Sequence, residues 1–214
     1  MTITGAKPSG RLPKSERRTQ VLSSALEVFV ASGYYATGMD DIAERAGVSK
    51  PVLYQHFTSK LDLYLALLDA GIEELHASYT AGLRSTSDNK VRVQRTVQAY
   101  FAFVEDPQGA YRLVFESDLI NEPAVRERVD QADLAVAQAI AHVITEDTGL
   151  NPQQALLLGS GMLGMSQVAA RRWLRHARTD ISREEAAELI ASLGWRGISG
   201  FPLSHPPEEQ TSPS

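Results

Sequence analysis

The sequence predicts an all-α protein of about nine helices, a three-helix helix-turn-helix head followed by a larger helical body. Three observations carry this. No stretch of the 214 residues alternates apolar and polar side chains as half-buried strands do. Apolar residues instead recur at three- and four-residue spacings in successive windows, the period of a helix face. Those windows are bracketed by helix-starting Ser, Thr, Asn or Pro and helix-ending Gly.

Residues 14–32 place Val21, Leu22, Ala25, Leu26, Phe29 and Val30 on one side of the first helix. In residues 39–46, Met39, Ile42, Ala43 and Ala46 fall at i, i+3, i+4 and i+7. Gly47 can take the left-handed conformation that ends this second helix, and Ser49 is placed to cap the third. Pro51 sits in the third helix's first turn, where a missing N–H is tolerated. Only Val52, Leu53 and Phe57 of that helix are apolar, with Leu53 and Phe57 inward and Lys50, Tyr54, Gln55 and His56 outward. A short helix with a narrow buried stripe and a hydrogen-bonding outer face suits a DNA major groove.

The body follows. Thr58 or Ser59 caps a fourth helix running to about Leu83, with Asp62 near its positive end and Leu61, Leu65, Leu68, Ile72 and Leu75 as its stripe. Residues 85–89 form a loop, and 91–105 form a fifth helix ended by Asp106-Pro107-Gln108-Gly109. A short helix over 111–119 precedes Asn121-Glu122-Pro123; long helices over 124–145 and 153–176 follow, and Ser182 caps a last one over 183–193. Residues 1–13 read as a disordered basic arm, 14–60 as the DNA-binding head, 61–201 as the body and 202–214 as a disordered tail.

The segment GYYATGMDDIAERAGVSKPVLYQHFTSK resembles the DNA-binding signature of the TetR family of bacterial transcriptional regulators. The resemblance rests on Gly33-Tyr34, Thr37, Ile42-Ala43, Ala46-Gly47-Val48-Ser49, Leu53-Tyr54-Gln55-His56-Phe57 and Lys60, without gaps and over about a quarter of the chain. From the residues themselves, Lys50 can donate to guanine O6/N7, Val52 can meet a thymine methyl and Gln55 can pair with adenine, with Pro51 beside them. The resemblance implies that Tyr54, His56, Lys60 and Thr37 contact phosphates, setting register while base contacts set sequence. Two departures stand out. Gly38 lacks the hydroxyl common at its position, and Asp40 replaces a frequently basic residue beside Asp41, which weakens the expected grip near Thr37.

The net charge of −5 fits DNA binding only once it is divided. Residues 1–60 carry +3 and residues 61–214 carry −8, so a modestly basic head sits on an acidic body. No cysteine is present, which excludes disulfides and thiolate metal sites. The first residues hold no apolar run and no segment has the roughly 20 apolar residues of a membrane span, so a cytoplasmic protein without membrane contact is expected.

Other signatures read as structural. Gly159-Ser160-Gly161-Met162-Leu163-Gly164 matches a dinucleotide fingerprint but lies inside a helical pattern with no preceding strand, so close helix packing is expected. Glu73 and His76 have the spacing of half a di-iron site, but no second copy exists; neither metal nor cofactor is expected. No catalytic constellation is assembled, so the protein is not read as an enzyme.

Tyr100, Phe101, Phe103, Tyr111 and Phe115, with Met162, Met165 and Trp173, are candidates to line an apolar cavity. By resemblance this region binds a small apolar or amphipathic ligand, and the last two long helices form a homodimeric bundle. Gly161, Gly164, Val168 and Trp173, with Leu189, Ile190 and Leu193, are the dimer candidates. The expected function is a repressor released from a palindromic operator by a ligand. Competing readings are a ligand-independent architectural DNA protein and a nucleotide-binding helical enzyme.

Overall fold

A computed structural model of the chain describes residues 13–106, 111–112, 119 and 121–197. Among these residues there are eight helices and no strand. They are α1 (Lys14–Ser32), α2 (Met39–Arg45), α3 (Lys50–His56), α4 (Lys60–Arg84), α5 (Asn89–Glu105), α6 (Pro123–Thr148), α7 (Pro152–His176) and α8 (Arg183–Arg196). The all-α expectation holds, with α4 to α8 extending one to three residues beyond several predicted ends. Of the predicted short helix, Tyr111 and Arg112 are helical, and residues 113–118 lie outside the described set, as do 1–12 and 202–214. No described helix is long and apolar enough to cross a membrane.

Capping chemistry explains most boundaries. Ser59 Oγ accepts the Asp62 N–H at 3.0 Å, and the Asp62 carboxylate returns to the Thr58 N–H at 2.7 Å. Asn151 accepts from the N–H groups of Gln153 and Gln154, and Ser182 from that of Glu185. Ser49 precedes α3 with extended backbone, but its side chain makes no capping hydrogen bond, which corrects the role expected for it. Pro51 in the first turn supplies the start instead.

The described residues fall into two compact units, the first drawn from Met1–Glu74 and Asp106–Ala132, the second from Leu75–Glu105 and Asp133–Ser214. This grouping differs from the sequence division at residue 60, because α4 and α6 each contribute to both units.

In the first unit, α1 packs on α2 and α2 on α3 through Val21, Ala25, Phe29, Ile42, Leu53 and Phe57, all essentially buried. Phe29, Tyr34 and Tyr64 form an aromatic cluster with centroids 5.4–5.8 Å apart, inside the range for favourable ring pairs.

In the second unit, α5 packs most extensively on α8, and both contact α7. Close approach to α6 depends on Gly159: a Cβ there would lie 2.5 Å from the Ala137 carbonyl oxygen. Gly159 is therefore a helix-packing residue, as its helical pattern implied. Gly161 and Gly164 differ, because a Cβ at either meets nothing within 4 Å.

Candidate nucleic-acid interface and apolar cavity

The turn between α2 and α3 is fixed by backbone chemistry. Gly47 has φ +63°, and the bonds from Gly47 N–H to Glu44 O and Val48 N–H to Ala43 O close a Schellman motif. At the other end of α2, Gly38 offers no side chain, so Asp41 alone caps by accepting the Gly38 N–H at 2.7 Å. Gln20 of α1 donates to the Ala46 carbonyl, and Arg45 pairs with Glu27, tying α2 to α1.

Leu53 and Phe57 anchor α3 in the core, and Lys50, Pro51, Tyr54 and Gln55 are left exposed, with Val52 and His56 half-buried. Arg18 stacks over the Phe57 ring at 5.1 Å and steadies the C-terminal end of the helix. The polar side chains of α3 thus lie on the side away from Leu53 and Phe57, as expected. Lys50 is not isolated: its Nζ lies 3.0 Å from the Asp40 carboxylate, whose hydrogen bond raises the lysine pKa further.

Thr37 and Lys60 have different surroundings from those implied by the resemblance. Thr37 is 2 % exposed, and its hydroxyl donates to the Gly33 carbonyl at 2.7 Å. Burial removes that side chain from the set of phosphate contacts and makes it a fastener of the loop before α2. Lys60 Nζ donates to the carbonyls of Tyr34 and Thr37 at 2.9 and 2.8 Å and lies 4.3 Å from the Tyr34 ring centroid. Burial above all, then Tyr35 and Glu122, raises the Tyr34 phenol pKa, so the ring beneath the ammonium stays neutral. With two of three donors engaged internally, Lys60 is first a clasp between the loop and α4. Sequence spacing gives no sign of this bond, which joins residues 23 and 26 positions apart.

The second unit holds a cavity of about 270 Å³. Tyr79 and Leu83 of α4 meet Asn89, Arg92, Val93, Thr96 and Val97 of α5 there. Ile140, Val143, Ile144, Asp147 and Thr148, from α6, form another wall, and Met162, Leu163, Ser166, Gly194 and Trp195, from α7 and α8, complete it. Among the expected lining residues only Met162 takes part. Tyr100, Phe101, Phe103 and Trp173 are buried core, Met165 packs on Gly194 outside the lining, Tyr111 belongs to the first unit and Phe115 lies outside the described residues.

Much of the cavity wall is apolar, and Asn89, Arg92, Thr96, Asp147, Thr148 and Ser166 interrupt it. The buried hydroxyls of Tyr79 and Thr96 have no protein partner among the described residues. Burial, with a smaller contribution from Asp133, pushes the Tyr79 phenol far above its ordinary pKa and keeps it a donor. One part of the wall is polar: Asn89 donates to Asp147 at 2.7 Å, and Arg92 donates to Asn89 at 2.9 Å.

The dimer candidates separate as well. Trp173 is 4 % exposed, packs on Phe101 and donates its indole N–H to the Ile181 carbonyl at 2.8 Å, so it is a core residue and not an interface one. Leu157, Gly161, Gly164 and Val168 share one face of α7, with Leu157 75 % and Val168 67 % exposed. Leu189 of α8 is also exposed, and Ile190 and Leu193 are half-buried.

Among the described residues no group of side chains is suited to hold a metal. The family described as bacterial regulatory proteins, tetR family, matches residues 21–67. The chain is 44 % identical over 200 residues to the HTH-type transcriptional activator FasR of Mycolicibacterium smegmatis, covering 94 % of this chain and 91 % of the relative. A crystal structure of a TetR-like transcriptional regulator from Rhodococcus sp. RHA1 superposes with TM-score 0.70 at 26 % identity, covering 89 % of this chain and all of that one. The transcriptional regulator FadR of Bacillus subtilis, solved in complex with stearoyl-CoA, shares the fold at TM-score 0.69 and 17 % identity, over 84 % of this chain and 98 % of that one. The exposed α3, the all-helical fold and this likeness over nearly the whole chain agree: the chain belongs to the TetR family and is a DNA-binding transcriptional regulator, not an enzyme.

Proposed function

We propose that the protein is a ligand-responsive homodimer that reads a two-fold symmetric operator. The observation that carries this reading is the uncovered α3 face, with Leu53 and Phe57 buried beneath it. Lys50, Val52 and Gln55 read base edges, Tyr54 and His56 hold phosphates, and Lys60 adds its remaining donor. The exposed stripe of Leu157, Gly161, Gly164 and Val168 on α7, with Leu189 of α8, is the contact between two copies; apolar faces of this kind mark interaction surfaces. The direction of control is activation, supported by the likeness to a relative named as an activator. Repression, the outcome expected from sequence, follows if the operator overlaps a promoter.

Selection from random duplexes at a stated salt concentration tests the reading. An enriched palindrome with half-site centres about 34–36 Å apart, or a multiple, is the expected result. A folded, dimeric protein that enriches nothing after denaturing exchange of any bound small molecule overturns it.

The cavity is the ligand site in this reading. An amphipathic molecule places its apolar part against Val93, Val97, Ile140 and Leu163 and offers a hydrogen-bond acceptor to Tyr79. Binding alters operator affinity only if the ligand prefers one body conformation, by about 1–3 kcal/mol for typical allosteric coupling. Tyr79→Phe should therefore leave the thermal midpoint of the unliganded protein unchanged or raised. It should weaken ligand binding by about fivefold or more, measured by calorimetry with a series of fatty acyl thioesters, because a ligand acceptor loses its donor. Unchanged affinity across a series that binds the wild type places the acceptor elsewhere.

A further inference from the structure

We infer that Asp40 is a specificity-determining residue: by holding Lys50, it directs the lysine at the head of α3 toward neutral base-edge acceptors and away from phosphates. The inference rests on the reading above, in which α3 enters the major groove.

Lys50 is the only Lys or Arg in α3, so its ammonium is the helix's one permanent positive charge. Asp40 lies on the neighbouring helix, across the Gly-Val-Ser turn, and both of its carboxylate oxygens are 3.0 Å from Lys50 Nζ. The other acidic residue in the first turn of α2, Asp41, is engaged by the Gly38 N–H and does not substitute for it. Both members of the pair are exposed, 52 % and 72 % at their side chains, so the pair stands in the surface that would face DNA.

The physical consequence depends on what the lysine meets. An ammonium has three donors, and the carboxylate leaves at least one for an incoming acceptor. Guanine O6 and N7 are neutral, so Lys50 can reach them while still paired. A phosphate oxygen carries charge and would approach the Asp40 carboxylate at close range, where like charges repel. Approach to phosphate therefore requires the pair to break or the repulsion to be borne, and approach to a base edge requires neither. Non-specific affinity, which depends on phosphates, is suppressed more than specific affinity.

The test compares the full-length wild type with Asp40→Asn, Lys50→Ala and the double variant. Each is titrated with the selected operator and with a random duplex of equal length over a salt series, after thermal melts establish folding. Asp40→Ser serves if Asp40→Asn melts early. The expected result for Asp40→Asn is a gain of about three- to thirtyfold on random DNA, with a salt slope steeper by about one phosphate contact. The gain on operator should be smaller, so the operator-to-random ratio falls. In the Lys50→Ala background this fall should vanish. An unchanged ratio overturns the inference, and so does a fall that persists without Lys50, since that identifies Asp40 as a general repeller of DNA. Failure of the underlying reading is visible earlier and separately, as a wild type that enriches no operator.

Discussion

Gly159→Ala should lower the thermal midpoint by about 4–8 °C, even though alanine is the better helix former. The added Cβ falls 2.5 Å from the Ala137 carbonyl oxygen and 3.3 Å from the Ala141 nitrogen. Both are backbone atoms of α6, so no side chain can rotate away and the helices must separate. Forced overpacking costs about 1–3 kcal/mol or more, against a gain of about 1 kcal/mol from replacing glycine inside a helix. With a contact this short the steric contribution wins, leaving a net loss of about 2 kcal/mol, which a chain of this size registers as several degrees. Circular-dichroism melts at equal protomer concentration make the measurement. Gly161→Ala is the internal comparison, since its Cβ meets nothing within 4 Å. It should show no such loss within a protomer and should act on dimer dissociation instead. A midpoint that rises in both variants would mean that α6 and α7 do not approach as closely as described.

Lys60→Met should destabilise the head by about 2–3 kcal/mol and weaken binding to every DNA sequence. The substitution keeps an unbranched stem and removes only the ammonium. Two loop carbonyls, of Tyr34 and Thr37, then lose charged donors at 2.9 and 2.8 Å, and the Tyr34 ring loses its cation. Hydrogen bonds from charged groups contribute about 1.5–3 kcal/mol each when well sheltered; half-exposure of Lys60 reduces the pair to the figure given. Urea unfolding followed by near-ultraviolet tyrosine signals reads the stability, and titration with operator and random duplexes reads the binding. If affinity falls while the unfolding curve is untouched, Lys60 is a phosphate contact and nothing more. A concerted loss identifies the clasp.

Much of the fold was legible because its causes are local. Ser59 and Ser182 cap the helices that their spacing indicated, and Gly47 adopts the left-handed turn that its place between two apolar windows required. The outward set on α3 follows from Leu53 and Phe57 standing four apart. What sequence did not disclose joins positions through space. The Lys60 clasp and the Asp40–Lys50 pair cross turns, and no periodicity encodes them. The largest aromatics do not mark the cavity, because Tyr100, Phe101 and Trp173 fill space and so close it. It forms where Val93, Val97, Ser166 and Gly194 leave space. A usable signal was present in α5, where Asn89 and Arg92 interrupt the same face that carries Val93 and Val97. Polar residues inside an apolar stripe indicate a wall that is not packed against another helix.

The two tryptophans differ in a way that gives the protein a built-in optical report. Trp173 is sealed in the core with its indole N–H bonded, whereas Trp195 is 46 % exposed and lines the cavity. It also borders a second, polar recess beside Lys90 and Arg196. Excitation at the red edge of indole absorption therefore yields one constant emitter and one that responds to whatever enters. A filled cavity removes water from the responsive ring, so its emission moves to shorter wavelength and soluble iodide quenches it less. Occupancy can be followed on the unlabelled wild-type chain, while the sealed indole serves as the reference.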